Sequence, residues 1–290
     1  MARNDSRRLG SKAGAAGTPT PPVMDIEGEE TDRSSPLSFV VPTEFVDLPS
    51  KGLYYPENHP LYKKDCLEIR HMTAKDEDIL TSRTLLKKGV ALDRFLQNIM
   101  IDKKVDISKL LVCDKNAIVI AARISGYGAN YETKVGCPAC MAKVPHTFDL
   151  DNAKIISAED INYDELNVRQ NDNGTFIITL PKMEVDVELR LLNGIDEKEI
   201  IRLGEQDKKS KRIEAMLTHQ LKRIIVSVNG DPARSTVNYV VNNMPATDAR
   251  YIRKRYQALS PMVDLTQDFE CVECGYEQAM EVPFTVDFFW

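Results

Sequence analysis

Two Cys-x-x-Cys stretches decide the fold: Cys137-Pro138-Ala139-Cys140 and Cys271-Val272-Glu273-Cys274. Strand-like runs flank both stretches, at residues 131–135, 144–150, 265–269 and 280–286. A strand, a Cys-x-x-Cys turn and a second strand make half of a zinc ribbon, and one such turn presents only two of the four thiolates that surround Zn²⁺. The two halves together predict one structural zinc site with four ligands: Cys137, Cys140, Cys271 and Cys274.

The sequence leaves other interpretations of these cysteines open. About 15–20 residues ordinarily separate the pairs of a four-cysteine site, whereas residues 141–270 lie between them here. A redox pair needs a low-pKa cysteine at a helix start, and the flanking runs predict strands instead. Disulfides need an oxidising compartment, and the sequence shows no secretion signal. Four buried thiols without a metal are the remaining alternative. Cys66 and Cys113, in apolar contexts, are predicted to be core residues.

Composition and charge exclude several classes of protein. The 290 residues are 42% hydrophobic and 28% charged, which is typical of a soluble globular protein with a proper core. The longest apolar runs are far too short to span a membrane. The net charge of −6 argues against a nucleic-acid-binding zinc ribbon, because such a protein needs a basic face. We therefore expect no membrane and no nucleic-acid partner.

The pattern along the chain predicts an α+β fold, in which helical segments and short antiparallel strands and hairpins are closed by a split four-cysteine zinc-ribbon module. Five segments are expected: a disordered N-terminal tail at 1–36, a strand and helix region at 37–126, the first half of the ribbon at 127–150, an inserted domain of a hairpin and helices at 151–260, and the second half of the ribbon at 261–290. In this arrangement the zinc is a clasp that joins the end of the chain to its middle.

Local patterns predict the main helices and one hairpin. Thr73 and Asp76 have the spacing of a capping box, which predicts a helix start. Further helices are expected at 91–101, 114–125, 196–225 and 246–258, with Asp196 as the cap of the 196–225 helix. Alternating apolar residues predict a hairpin with strands at 176–180 and 185–191.

No catalytic constellation is present in the sequence. It contains no Gly-rich phosphate loop and no Gly-x-Ser-x-Gly motif. None of the four histidines has a partner at ligand spacing. His146 follows Cys140 closely but stays outside the predicted metal site, because four cysteines already complete it. We therefore predict a protein that is not an enzyme, with no catalytic residues and no small-molecule substrate.

Several stretches besides the cysteines carry a resemblance to a known family. They are Phe-Val-Asp-Leu-Pro-Ser-Lys-Gly at 45–52, Glu-Ile-Arg-His-Met-Thr-Ala-Lys-Asp-Glu-Asp-Ile-Leu at 68–80, Gly-Tyr-Gly at 126–128, Met-Pro-Ala-Thr-Asp-Ala-Arg at 244–250, Val-Pro-Phe at 282–284 and Phe-Phe-Trp at 288–290. Together with Cys-x-x-Cys-Gly at 271–275, they make the chain resemble the baseplate (hub) protein family of T-even-type contractile-tailed bacteriophages. The resemblance covers residues 43–290.

The resemblance implies a structural component of the baseplate hub, located in the tail of the virion and assembled in the host cytoplasm. Its expected partners are other baseplate, hub or tail proteins, or further copies of itself. The alternative is a hub or tail assembly chaperone that is absent from the mature virion. The aromatic ending at 288–290 has two interpretations, a contact with a partner or packing against the core of the zinc ribbon.

Overall fold

The computed structural model describes residues 41–283 and 286–289. The predicted tail at 1–36 lies outside the described residues, as does Trp290. The described residues belong to one compact unit, and the division of this unit after residues 126, 150 and 260 stays a prediction. Within the described ranges, no helix has both the length and the apolar character that crossing a membrane requires.

Helices and short strands alternate along the described part of the chain. The helices are α1 (Ala74–Thr81), α2 (Arg83–Lys87), α3 (Ala91–Ile99), α4 (Val112–Tyr127), α5 (Gly194–Lys209), α6 (Met216–Ile224), α7 (Arg234–Asn243) and α8 (Ala246–Leu259). The strands are β1 (Thr43–Asp47), β2 (Cys66–Arg70), β3 (Asn130–Gly136), β4 (Lys143–Asp149), β5 (Lys154–Ile156), β6 (Arg169–Gln170), β7 (Phe176–Thr179), β8 (Asp186–Leu189), β9 (Ile225–Val228), β10 (Met262–Asp264), β11 (Thr266–Glu270) and β12 (Glu277–Glu281).

All pairings between these strands are antiparallel. Within residues 41–283 and 286–289, the strands form four two-stranded sheets, β1–β2, β3–β4, β5–β10 and β11–β12, and one four-stranded sheet of order β6-β7-β8-β9. The predicted hairpin is β7–β8, in which Ile178 pairs with Val187 and both side chains are buried. The mixture of helices with short antiparallel strands confirms the predicted α+β class.

The helix predicted at 196–225 is wrong in two respects. It consists of two helices, because α5 ends at Lys209 and α6 begins at Met216. His219 of α6 meets Asp207 of α5 at 2.7 Å, and the two helices pack against each other as a hairpin. Ile200, Leu221 and Ile224 are the residues of this hairpin that reach the core. The predicted cap is also displaced, since Asn193 caps α5 and Asp196 is its third residue.

Aspartates at the third residue of α1 and α5 anchor each helix to the strand before it. Asp76 accepts two hydrogen bonds from Arg70, at 2.7 and 3.0 Å, and Asp196 accepts two from Arg190, both at 2.7 Å. Asp76 also completes the capping box with Thr73, which confirms that prediction. The aspartates are almost fully buried, where a carboxylate is tolerated only with such donors.

Aspartates at the third residue of α4 and α8 hold the turns of two hairpins. Asp114 accepts from the backbone N–H of Ser50 at 3.0 Å and from the hydroxyl of Tyr55 at 2.8 Å. Asp248 accepts from the N–H groups of Lys182 and Met183, at 3.0 and 2.9 Å. These carboxylates also lie near the positive end of the helix dipole. Each helix is thereby fixed to a turn that lies much earlier in the chain.

The aromatic residues at the end of the chain pack inside the protein. Phe288 and Phe289 are 2% and 5% exposed. The ring of Phe288 contacts Tyr131 of β3 edge-on, and that of Phe289 contacts Phe95 of α3. Arg123 of α4 also donates to the carbonyl oxygen of Phe288 at 2.8 Å. Of the two interpretations of this segment, packing is confirmed for these residues, and it extends beyond the ribbon to the helices.

Replacing Asp248 by Ala is expected to destabilise the protein by about 3 kcal/mol, because two backbone N–H groups of the β7–β8 turn lose a charged acceptor. Chemical denaturation followed by circular dichroism measures this change. Asp172→Ala, at an exposed loop position, is the control and is expected to stay within about 0.5 kcal/mol of wild type. Equal stabilities of the two variants would contradict the anchoring role of Asp248.

Candidate metal centre

Two β-hairpins bring the Cys-x-x-Cys stretches together. In β3–β4 the last pair before the turn is Gly136 with Lys143, and in β11–β12 it is Glu270 with Glu277. Each hairpin therefore presents its two cysteines at its tip. The alternation within the strands buries one face of each hairpin and leaves the other exposed.

The two cysteine turns have the same backbone geometry. The N–H of Met141 donates to the carbonyl oxygen of Cys137 at 2.9 Å, and the N–H of Gly275 donates to that of Cys271 at 2.8 Å. Met141 and Gly275 both have a positive φ, 62° and 67°. A glycine adopts this conformation without strain, whereas the Cβ of a methionine makes it unfavourable. The first turn is therefore the more strained of the two.

The four sulfur atoms converge at the hairpin tips. All four Sγ atoms lie within 4.8 Å of one another. Cys137 Sγ is 3.8 Å from Cys274 Sγ, and Cys140 Sγ is 3.8 Å from Cys271 Sγ. A disulfide has sulfurs about 2.05 Å apart, so these thiols are free. A tetrahedral ion with bonds of about 2.3 Å to sulfur requires S–S distances of about 3.8 Å, and the cysteines fit that requirement.

The surroundings of the thiols shift their pKa values in opposite directions. The backbone N–H of Cys140 lowers the pKa of Cys137 to about 7. The N–H of Tyr276 lowers the pKa of Cys274, but partial desolvation and hydrogen bonds with the other three thiols raise it to about 12 overall. Cys137 therefore loses its proton easily, whereas the closeness of the other three thiols opposes the deprotonation of Cys274. A cation bound by the four cysteines would remove this resistance, because coordinated thiols are deprotonated.

Contacts behind the sulfur atoms join the two hairpins. The side chain of Gln267 accepts from the N–H of Asp149 at 3.0 Å and donates to its carbonyl oxygen at 2.6 Å. His146 lies with its ring edge-on between Phe148 and Phe269. Its contacts are aromatic, and the metal-capable group found among the described residues consists of the four cysteines. The contact made by Gln267 could not be predicted from the sequence, because an isolated glutamine in a strand has no distinctive pattern.

The two other cysteines lie elsewhere in the structure. Cys66 begins β2, and Cys113 lies in the first turn of α4, both half-buried. Burial raises the pKa of Cys113, and the neighbouring Asp114 raises it further. Both thiols lie outside the cysteine cluster. They were predicted to be core residues; Cys113 packs against the core while half-buried, and Cys66 is half-buried as well.

Comparison with known proteins gives the family of the chain. The family model described as T4 bacteriophage base plate protein matches residues 45–290. The chain belongs to this family. Neither a curated protein nor a solved structure matches it. The base plate family confirms the resemblance seen in the sequence, and it gives the chain a structural role in a phage baseplate, in contact with other baseplate proteins.

Replacing Gly275 by Ala is expected to destabilise the protein by about 1 kcal/mol, because Ala tolerates the positive φ poorly. Replacing Met141 by Gly is expected to stabilise it by a similar amount, since this exposed side chain loses little burial. The free energy of unfolding measures both. Gly136→Ala is the control, because its added Cβ meets open space at an ordinary φ. A destabilising Met141→Gly would show that the first turn is unstrained.

Proposed function

We propose that the chain is a non-enzymatic structural component of the baseplate hub of a contractile phage tail, and that a zinc ion at the four cysteines acts as a clasp in its fold. The observation that carries the zinc assignment is the set of sulfur distances, 3.8 Å for two pairs and at most 4.8 Å for the rest. Four thiolates in this spacing suit Zn²⁺ better than other common ions, because soft sulfur ligands and tetrahedral geometry select it.

The ligand count supports a structural ion. Catalytic zinc keeps one coordination position for water or substrate, whereas Cys137, Cys140, Cys271 and Cys274 fill all four. Cys140 and Cys271 lie 131 residues apart in the chain, so a shared ion removes much of the freedom of the unfolded chain. The ion would thereby hold the two hairpins in one arrangement on which contacts with other hub proteins can be built.

The purified protein is expected to carry one zinc ion per chain, measured by atomic emission. Cys137→Ser and Cys274→Ser each remove one thiolate and are expected to release the ion and lower the free energy of unfolding, because metal binding in small zinc modules contributes on the order of 10 kcal/mol of folding energy. Cys66→Ser, outside the cluster, is the control and is expected to retain the ion. A wild-type protein without zinc would refute the clasp.

Whether the protein remains in the finished virion distinguishes a hub component from an assembly chaperone. A hub component is expected in purified virions at a fixed ratio to other baseplate proteins, because its contacts persist in the finished tail. Quantitative mass spectrometry of virions, with a known tail protein as the internal standard, measures that ratio. Absence from virions, combined with binding to unassembled hub subunits in infected cells, would favour the chaperone.

A further inference from the structure

Two stretches far apart in the chain have matching sequences. Residues 68–77 are Glu-Ile-Arg-His-Met-Thr-Ala-Lys-Asp-Glu, and residues 188–197 are Glu-Leu-Arg-Leu-Leu-Asn-Gly-Ile-Asp-Glu. The Glu, Arg, Asp and second Glu fall at the same positions in both. Each stretch covers the end of a strand, a helix cap and the first turn of a helix, namely β2 with α1 and β8 with α5.

The contacts of the two stretches match as well. In each, the arginine binds the aspartate through both terminal nitrogens and also donates to the carbonyl oxygen of the next residue, at 3.0 Å in one case and 3.3 Å in the other. A side chain from a later helix reaches the same carboxylate. Asn98 of α3 donates to Asp76 at 2.7 Å, and Arg223 of α6 lies 3.9 Å from Asp196.

The match continues after these later helices. Ile69 of β2 bridges to Met100, two residues after Asn98, and Leu189 of β8 pairs with Ile225, two residues after Arg223. All four bridging residues are at most 1% exposed. In both cases, therefore, the chain that follows the later helix, α3 or α6, pairs with the same edge of the hairpin's second strand, β2 or β8.

The hairpin turns and the next long helix are also equivalent. Leu48-Pro49 follows β1, and Leu180-Pro181 follows β7. The residue after each proline, Ser50 or Lys182, donates its backbone N–H to a buried aspartate, both at 3.0 Å. These aspartates, Asp114 and Asp248, hold the same third position in α4 and α8.

The spacing from these aspartates to the cysteines is identical. The interval along the chain from Asp114 to Cys137 equals the interval from Asp248 to Cys271. The hairpins that carry the cysteines bury equivalent positions, because Val135 and Phe269 each lie two residues before the first cysteine and are 5% and 1% exposed. Chance does not explain matching order, contacts and spacing over so much of the chain.

We infer that residues 43–149 and 176–281 are two copies of one structural unit, and that the cysteine cluster is where the equivalent ends of the two copies meet. Each copy consists of a hairpin, a helical segment fixed by an Arg–Asp pair, a helix fixed to the hairpin turn and a Cys-x-x-Cys hairpin. Among the described residues, the copies differ in the longer connection between β1 and β2, in the short helix α2, in the lengths of α1 and α5 and in the helix α7.

The geometry of the cysteine cluster agrees with a symmetric contact between two equivalent hairpins. The first cysteine of each copy is buried and the second is exposed. The first sulfur of one copy lies 3.8 Å from the second sulfur of the other, in both directions. This exchange is the signature of a two-fold, isologous contact, so the partner that completes each Cys-x-x-Cys hairpin is the equivalent hairpin of the other copy.

The test exchanges equivalent residues between the copies in the full-length chain. One variant carries Ile69→Leu, Met72→Leu, Thr73→Asn and Asn98→Arg together with Leu189→Ile, Leu192→Met, Asn193→Thr and Arg223→Asn. Equivalence predicts that both caps form and that the arginine introduced in α3 reaches Asp76, so Tm is expected within about 5 °C of wild type. The matched control introduces the arginine at Gln97 instead of Asn98 and is otherwise identical.

The control is expected to melt well below the exchanged variant, because Gln97 hydrogen-bonds the backbone of Val105 and Ile107 and faces a different neighbour. An exchanged variant that melts as low as the control, or that does not fold, would overturn the duplication. Zinc is measured on both variants and on wild type. A wild-type chain without zinc refutes the proposed clasp but leaves the Tm comparison valid, so the two failures are distinguishable.

Discussion

A carboxylate that leaves water needs hydrogen-bond donors, and this requirement organises the protein. Four aspartates at the third residue of a helix are buried and are satisfied by groups from other elements: Asp76, Asp114, Asp196 and Asp248. Two of them fix a helix to the preceding strand, and two fix a helix to a hairpin turn. Because an unpaired buried charge is so costly, these contacts hold each helix in place. The hairpins that carry the cysteines come after the latter two helices in the chain.

The sequence predicted those features that depend on local pattern. The strand alternation around β7 and β8, the capping box at Thr73 and the convergence of the four cysteines all follow from periodicity or from the needs of one motif. It failed where distant residues decide. The break between α5 and α6 has no local signal in the apolar pattern, and His219 contacts Asp207 across it. The predicted helix also ends at Ile225, which is the first residue of β9. The role of Asp248 required knowledge of a turn 65 residues away.

The two matching copies give a different explanation for the long interval between the cysteine pairs. A zinc ribbon with an insertion and a pair of equivalent units sharing one cluster give the same spacing. The matching Asp–Arg contacts, strand bridges and turn hydrogen bonds, with the equal interval from aspartate to cysteine, favour the second arrangement. In the second case the residues between the pairs are the body of the second unit. The family match over residues 45–290 covers nearly all of both units.

The long stretch of chain between the two cysteine pairs also means that they are synthesised at different times. A ribosome adds about 5–20 residues per second, so the second pair emerges roughly 7–26 s after the first. The contacts of Asp76 with Arg70 and of Asp114 with Ser50 join residues that are already made by then. The first unit can therefore complete its internal contacts while its two thiols remain without partners. The cysteine cluster can therefore close only after Cys271 and Cys274 have been made, when the first unit already has its internal contacts.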